Sequence, residues 1–231
     1  MVFSTKIETL WHLGLKNLAR VFSYRLSLRL GLNPVQRLSV SVVQGKYFSN
    51  VSSPKFALEA NKNWYQNAKL FGKLSIALTE APPPWHLNPL TGKSSRHTNL
   101  DWWQIPDFDP NIGDIKLVWE LSRFDWVLAM AQRARQGDSA ELQRLNVWLS
   151  DWVAQNPPYK GANWKCGQEA SIRVMHLAVA ALILDQVNTT SDALQNLLVL
   201  HLQRIAPTIG YAVAQDNNHG TSEAAALFIG G

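Results

Sequence analysis

The sequence has a single cysteine and lacks the usual signatures of a metal or nucleotide site. Cys166 has no partner for an internal disulfide bond and no second cysteine with which to share a metal ion. No HExxH segment, Cys/His cluster, acidic calcium loop, Walker motif or dinucleotide glycine pattern occurs. We therefore expect no metal ion and no cofactor, and we interpret Cys166 as a small buried apolar residue.

Long apolar runs are also missing. No run approaches the roughly 18 residues of a membrane-spanning helix, and the N-terminus lacks the apolar core and cleavage site of a signal peptide. We therefore expect no integral membrane segment, and the sequence alone favours the cytoplasm. With 46% hydrophobic residues among 231, the default expectation is a globular protein with a substantial core.

The net charge of +5 comes from the first part of the chain. Residues 1–37 contain six basic residues and one acidic residue, whereas the remaining chain has 16 of each. Apolar positions recur at helical spacing over residues 5–30, and Gly31 and Pro34 end that helix. Such a basic amphipathic arm can rest on a membrane surface, bind an acidic partner, or dock its apolar face on the rest of the protein. We expect docking.

Residues 38–112 are interpreted as a connecting region. Residues 33–63 show no sustained period, although a valine-rich piece beginning at Val40 can be extended. Residues 81–113 hold six prolines and three tryptophans, which exclude a long helix. A stretch of this length and composition must pack on the remaining protein, so we expect an ordered loop that crosses the helices.

From residue 113 onward the pattern is helical. Asp114 and Asp138 are suitable N-caps, and Asn156 with the prolines after it stops a helix. Consecutive helices with short loops indicate antiparallel hairpins in a bundle, a solenoid or a toroid, and spacing alone does not choose among them. The predicted helices span about residues 114–137, 138–155 and 167–185, with further pieces after Ser191 and Pro207.

The most informative segment is DNNHGTSEAAAL at residues 216–227. Its second half forms helices readily, with Thr221 or Ser222 as the cap and Glu223 in the first turn. Two amide side chains and an imidazole then precede a helix N-terminus, where unpaired backbone NH groups attract anions. This chemistry suits a carboxylate ligand. An ordinary polar loop with a helix cap is the structural alternative.

The segment NNHGTSEA resembles the NNHxxxEA segment of heparinase II/III-like proteins, a polysaccharide lyase family related to alginate lyases. Two upstream segments agree with it. GDIKLVWELSRF at residues 113–124 resembles the family's GDIK and WExxRF helix, and GANWKCGQEASIR at residues 161–173 resembles its NW and ExxxR helix start. The three occur in the family's order, and the resemblance extends from about residue 70 to the end of the chain.

The resemblance implies an all-α fold, with residues 113–231 as a truncated, incomplete α/α toroid of antiparallel helical hairpins. In the family a further toroid portion and a β-sandwich domain follow. It also implies β-elimination on an acidic, uronic-acid-containing polysaccharide as the partner, and a periplasmic location by analogy. No nucleic acid partner is expected.

Eight residues are candidate site residues. Asn218 and His219 are expected to be catalytic, because hydrogen-bond donors must neutralise the uronate carboxylate as negative charge develops beside it. We expect Arg173, held by Glu169, to face the cleft and pair with a glycan carboxylate. The side chains of Asn218 and His219 should share one concave surface with the substrate-binding residues. The expected substrate-binding residues are Asn163, Trp164, Glu169, Arg173, Asn217 and Glu223.

The resemblance assigns the catalytic base to a tyrosine beyond the NNH segment, aided by a further histidine. This chain ends twelve residues after His219, so we expect the chain alone to be inactive. A non-catalytic glycan-binding or scaffold module is the alternative. A glycoside hydrolase using Glu120 and Glu169 is a third possibility, but each has an arginine nearby on its helix, which suits a general acid poorly.

Overall fold

The computed structural model describes residues 2–49, 51, 64, 68–75 and 78–231, with side chains described from residue 14 onward. Within these ranges the protein is mostly helical, with a few short strands. The helices are α1 Val2–Arg29, α2 Lys116–Trp119, α3 Asp125–Arg135, α4 Ser139–Gln155, α5 Gly167–Ile183, α6 Asp192–Ile205, α7 Ile209–Ala214 and α8 Asn218–Gly230. The strands are β1 Lys69–Leu70, β2 Leu74–Ser75, β3 Leu87–Asn88, β4 Lys93–Ser94, β5 Phe108–Asp109 and β6 Gly113–Asp114, paired as three antiparallel hairpins. Short 3-10 helices span Pro34–Arg37, Trp102–Gln104, Glu120–Arg123, Ala162–Trp164, Val187–Thr189 and Ala206–Thr208.

Local capping explains several helix ends. The Asp138 carboxylate accepts the backbone NH of Glu141 at 3.2 Å, so α4 begins where the sequence predicts. Ser191 caps α6 in the same way. Gly31, with φ +69°, follows the end of α1 in the left-handed conformation that favours glycine. The predicted helices over residues 138–155 and 167–185 are confirmed by α4 and α5.

The prediction of one continuous helix over residues 114–137 is wrong. The chain forms α2, a 3-10 turn and then α3, because Phe124 adopts φ +70° and interrupts the helix. This conformation is costly for a residue with a side chain. The Phe124 ring is fully buried, 4.9 Å from the ring of Trp152 and 5.3 Å from that of Trp126, and this packing offsets the cost.

Three helices, α3, α5 and α8, lie side by side and run in the same direction. Gly167 and Val174 of α5 face Glu223 and Gly230 of α8, so both pairs keep the same register. The start of α3 contacts the middle of α5, and the ends of the two helices meet where Arg135 and Asp185 approach within 3.9 Å. The N-terminal ends of α5 and α8 consequently lie at one end of this layer, whereas α3 begins beside the middle of α5.

Helices that run antiparallel to this layer cover one of its faces. Helix α4 packs antiparallel on α3, and α6 packs antiparallel on α5, since Arg173 meets His201 while Trp164 meets Arg204. Helix α1 packs on α7, with the Tyr24 and Tyr211 rings stacked at 4.0 Å. The expected docking of the N-terminal arm is therefore confirmed for this face of α1.

The proline-rich segment over residues 81–113 is ordered against the helices, as expected. Trp85 is fully buried and donates its indole NH to Asp151 at 2.7 Å. The sequence did not predict the β3–β4 and β5–β6 hairpins that this segment contributes to. The valine-rich piece near Val40 forms no strand, and residues 52–63 of the predicted connection lie outside the described residues.

One stretch in the described part of the chain, Asp192–Ala214, is long and apolar enough to span a membrane by composition, with mean hydropathy 1.3. It comprises α6, the turn at Pro207 and α7, and 44% of its apolar 18-residue window is buried inside the fold. Core helices of this kind pass the same test, so this stretch is weak evidence for a span.

Candidate carboxylate-binding site at the start of helix α8

Helix α8 begins four or five residues earlier than the sequence predicts. Asn217 is its N-cap and accepts the backbone NH of His219 at 2.9 Å, so the prediction of Thr221 or Ser222 as the cap is wrong. Asn218 and His219 therefore lie in the first helical turn and not ahead of it. Gly220, in the first turn of α8, lies beside Val213, where an added Cβ would be in ordinary van der Waals contact at 3.5 Å.

His219 lies against a buried carboxylate. Its Nδ1 is 3.6 Å from Oε1 of Glu223, one turn further along α8. The Glu223 side chain is buried against Gly167, and a Cβ at that glycine would come within 2.5 Å of the same Oε1. The absent side chain of Gly167 thus makes room for the carboxylate beside the first turn of α5, where the helix dipole offsets part of its burial cost.

Both candidate catalytic residues, Asn218 and His219, have solvent-accessible side chains. Asn218 is exposed, and within the described residues its side-chain amide makes no hydrogen bond. The His219 side chain keeps 23% of its surface exposed. Both side chains are thus available to an anion at this helix N-terminus.

Arg173 does not face a cleft. Its guanidinium is fully buried, donates from Nε to Nε2 of His201 at 2.8 Å and from Nη2 to the Asn163 carbonyl at 2.8 Å. The expectation that Glu169 holds Arg173 for a glycan carboxylate is wrong, because no surface of Arg173 remains to contact a ligand. Burial lowers the pKa of Arg173 to about 9.

Asn163 and Trp164 are core residues. Both are fully buried, and Nδ2 of Asn163 bonds to Oδ1 of Asn156 at 2.8 Å. The Trp164 indole NH bonds to the Asn156 carbonyl at 3.0 Å. The expected stacking of Trp164 on a sugar and the expected contact of Asn163 with substrate are both excluded in this conformation.

Glu169 instead binds Arg123, a residue that the sequence did not single out as part of the site. Nε and Nη2 of Arg123 donate to the two carboxylate oxygens of Glu169 at 2.8 and 2.9 Å, and Nη1 donates to Glu120 at 2.5 Å. The hydrogen bond to Glu169 raises the pKa of Arg123. Both carboxylates are committed to one guanidinium, which removes the pair needed by the glycoside hydrolase hypothesis.

The structure thus brings together only part of the predicted site. His219 lies beside Glu223 on α8, and Glu223 meets the start of α5 at Gly167, while Asn217 and Asn218 form the start of the same helix. The concave surface expected to include Asn163, Trp164 and Arg173 does not form, since those residues point into the core. The ExxxR spacing of Glu169 and Arg173 did not predict their different surroundings. Spacing along one helix does not show which residue of another element will form an ion pair with a given side chain.

Cys166 is a free thiol at the N-cap of α5, partly buried, and burial raises its pKa. The described residues contain no group of three or more His, Cys, Asp or Glu side chains placed to hold a metal ion.

Comparisons of the chain with family models, with curated proteins and with solved structures found no match in any of the three.

Proposed function

We propose that this chain is part of a heparinase II/III-like polysaccharide lyase with an incomplete α/α toroid, and that it binds the uronate groups of an acidic polysaccharide at the start of α8. The observation that carries the proposal is that exposed Asn218 and partly exposed His219 are neighbours in the first turn of α8. The imidazole of His219 also lies 3.6 Å from the buried carboxylate of Glu223. The N-termini of α5 and α8, which lie at the same end of this helix pair, support the proposal, because each favours negative charge.

The proposed role follows from the chemistry of β-elimination. A base removes the C5 proton of the uronic acid, the C–H electron pair forms the C4–C5 double bond, and the glycosidic oxygen on C4 leaves and takes up a proton. Negative charge develops beside the ionised carboxylate, so donors aimed at that carboxylate lower the barrier. Asn218 donates from its amide. The His219 imidazole, whose Nδ1 lies 3.6 Å from Oε1 of Glu223, donates Nε2–H to the uronate.

Two of the remaining candidate residues, Asn217 and Glu223, act through His219 in this proposal. Asn217 fixes the start of α8 by accepting the NH of His219. Glu223 is too buried to contact a glycan and orients the His219 imidazole. Both are positioning residues in the proposal, whereas the sequence suggested substrate contact.

Binding of uronate oligosaccharides tests the proposal. With alginate, heparan and hyaluronan-type oligosaccharides in isothermal titration calorimetry, Asn218→Ala and His219→Ala should each raise the Kd about tenfold or more, since a hydrogen bond to a charged group is worth about 1.5–3 kcal/mol. Asn188→Ala is the matched control, because Asn188 is an exposed asparagine beyond the other end of α5. Equal affinity for all four proteins would refute the assignment.

Turnover is a separate measurement. The 231 residues alone should release no unsaturated uronate, detected by its ultraviolet absorbance, because the resemblance places the base beyond His219 at a position that these residues do not include. Turnover that disappears in Asn218→Ala would show that the base is present in this chain.

A non-catalytic scaffold or glycan-binding module is the second candidate. It is favoured by the burial of Asn163, Trp164 and Arg173, which makes one of the three family-like segments part of the core. Uronate binding without any contribution from Asn218 and His219, or no binding at all, would support this alternative.

A further inference from the structure

Helix α1 has a second apolar face that the fold leaves open. Tyr24 and Leu28 lie on the side that docks on the protein. Leu15, Phe22 and Leu26 of α1, with Leu30 directly after its end, follow one another at spacings of seven, four and four residues, which places them on one stripe of a helix with 3.6 residues per turn. This outward stripe is the opposite side from Tyr24.

The outward stripe is well exposed. Leu15 has 87%, Phe22 68% and Leu30 60% of its surface accessible. Single exposed apolar residues are ordinary on protein surfaces, but an aligned set on one helix face is the mark of an interaction site. Docking through Tyr24 therefore explains only half of the amphipathic pattern of the arm.

Basic side chains flank this stripe. Lys16, Arg20, Arg25 and Arg29 are all exposed, and no carboxylate of the described residues forms an ion pair with them. The sequence has no Asp or Glu between Glu8 and residue 59. Within the part of the chain that the structure describes, this positive charge is thus available to an external partner.

We propose that α1 lies in the interface of an anionic lipid bilayer, with Leu15, Phe22, Leu26 and Leu30 inserted and the flanking lysine and arginines on the headgroups. Long basic side chains extend toward headgroups while apolar neighbours enter the acyl boundary. A second copy of the chain would place two basic helices against each other, and a soluble polyanion would leave the leucine and phenylalanine side chains in water. Both the charge and the apolar stripe therefore favour the bilayer surface.

This inference is independent of the proposed function and uses different residues. The test is co-sedimentation of the full chain with vesicles of phosphatidylglycerol and phosphatidylcholine in equal parts, beside vesicles of phosphatidylcholine alone. We expect binding to the anionic vesicles, weakening as salt rises. Arg25→Glu with Arg29→Glu should reduce the partition coefficient about tenfold or more, given the attraction of each basic residue to an anionic surface.

Insertion is tested by Phe22→Asp with Leu26→Asp, which should also reduce partition at least about tenfold, because buried apolar area is lost. Leu182→Asp is the matched control for an exposed apolar residue on another helix, and Lys93→Glu with Arg96→Glu controls for net charge. Circular dichroism and the Tm of each variant verify folding. No binding to anionic vesicles would overturn the proposal. So would binding that survives Phe22→Asp with Leu26→Asp and is matched by a soluble polyanion, which would indicate a purely electrostatic surface.

Discussion

The most unusual single residue is Arg173, a cation enclosed by aromatic rings and a neutral imidazole. Its guanidinium carbon lies 5.0 Å from the ring centroid of Trp152 and 5.5 Å from that of Trp164. Nε2 of His201 accepts from Arg173, so the imidazole must carry its proton on Nδ1, where the Leu197 carbonyl is 2.8 Å away. Burial, with the nearby charge of Arg173, lowers the pKa of His201 well below its usual value.

The buried imidazole predicts a loss of stability in mild acid. Because the folded-state pKa is depressed, the unfolded chain takes up a proton below about 6.5 that the folded chain does not. The free energy of unfolding is therefore not reduced by His201 above that pH, and below it this free energy falls by up to about 1.4 kcal/mol per pH unit. His201→Gln keeps an acceptor for Arg173 without titrating. Urea denaturation from about pH 7 to about pH 5 should show a shallower decline in the variant.

The comparison would fail if wild type and His201→Gln lost stability in parallel. His86, whose pKa burial also lowers, contributes to the slope in both proteins and cancels in the difference. The quantity of interest is therefore the difference between the two slopes.

At the scale of the element, the contact between α5 and α8 depends on glycines at both of its ends. A Cβ at Gly167 would collide with the Glu223 carboxylate, and one at Gly230 would lie 2.9 Å from Cγ1 of Val174. Gly210 in α7 has open space instead. These three helical glycines separate the effect of close packing from that of helix propensity.

Alanine substitution at these glycines should have opposite effects. Gly210→Ala should raise the free energy of unfolding by up to about 1 kcal/mol, because alanine favours the helix. Gly167→Ala and Gly230→Ala should lower it by about 1–3 kcal/mol through overpacking. Urea midpoints measure all three, and stabilisation by Gly167→Ala would show that α8 is not seated against α5 as described.

Which elements the sequence predicts depends on where their determinants lie. Asp138 caps α4 through a contact three residues away, so local pattern is sufficient. The break at Phe124 is decided by packing against Trp152, which is distant in sequence, whereas the start of α8 at Asn218 follows from the cap that Asn217 provides. Asn217, Thr221 and Ser222 are all good caps, so the local pattern alone does not choose among them.

The candidate site shows the same division. The NNH segment indicated polar residues next to a helix start, but Asn218 and His219 lie inside the first turn of α8 and not ahead of it. The burial of Asn163 and Arg173 was not predictable, because an arginine without a carboxylate partner is rarely enclosed. Tertiary packing of four aromatic rings around Arg173 overrides that tendency.

For the whole molecule, the connecting region and the helical region share one buried cluster. Tyr47, Phe48 and Trp85 belong to the same apolar cluster as Trp148 and Leu197. A shared core makes cooperative unfolding the expected behaviour, even though the sequence divides the chain at residue 112.

Trp85→Leu tests this cooperativity. Loss of the buried indole and its bond to Asp151 should cost about 2–3 kcal/mol and move the entire transition. Far-ultraviolet circular dichroism and tryptophan fluorescence should give the same midpoint. Trp103→Leu, in the same segment but only partly buried, should have a smaller effect. Two separated transitions would mean that residues 38–112 unfold on their own.

The tryptophan-rich core has an optical consequence. Ring centroids are 5.5 Å apart for Trp85 and Trp126, 5.3 Å for Trp126 and Trp148, and 5.9 Å for Trp152 and Trp164. Indoles this close share electronic excitation, so light absorbed by one ring migrates to its neighbours before it is emitted. The fluorescence of the folded protein therefore reports on the cluster collectively, and its excitonic circular dichroism provides an intrinsic signal for the assembled core.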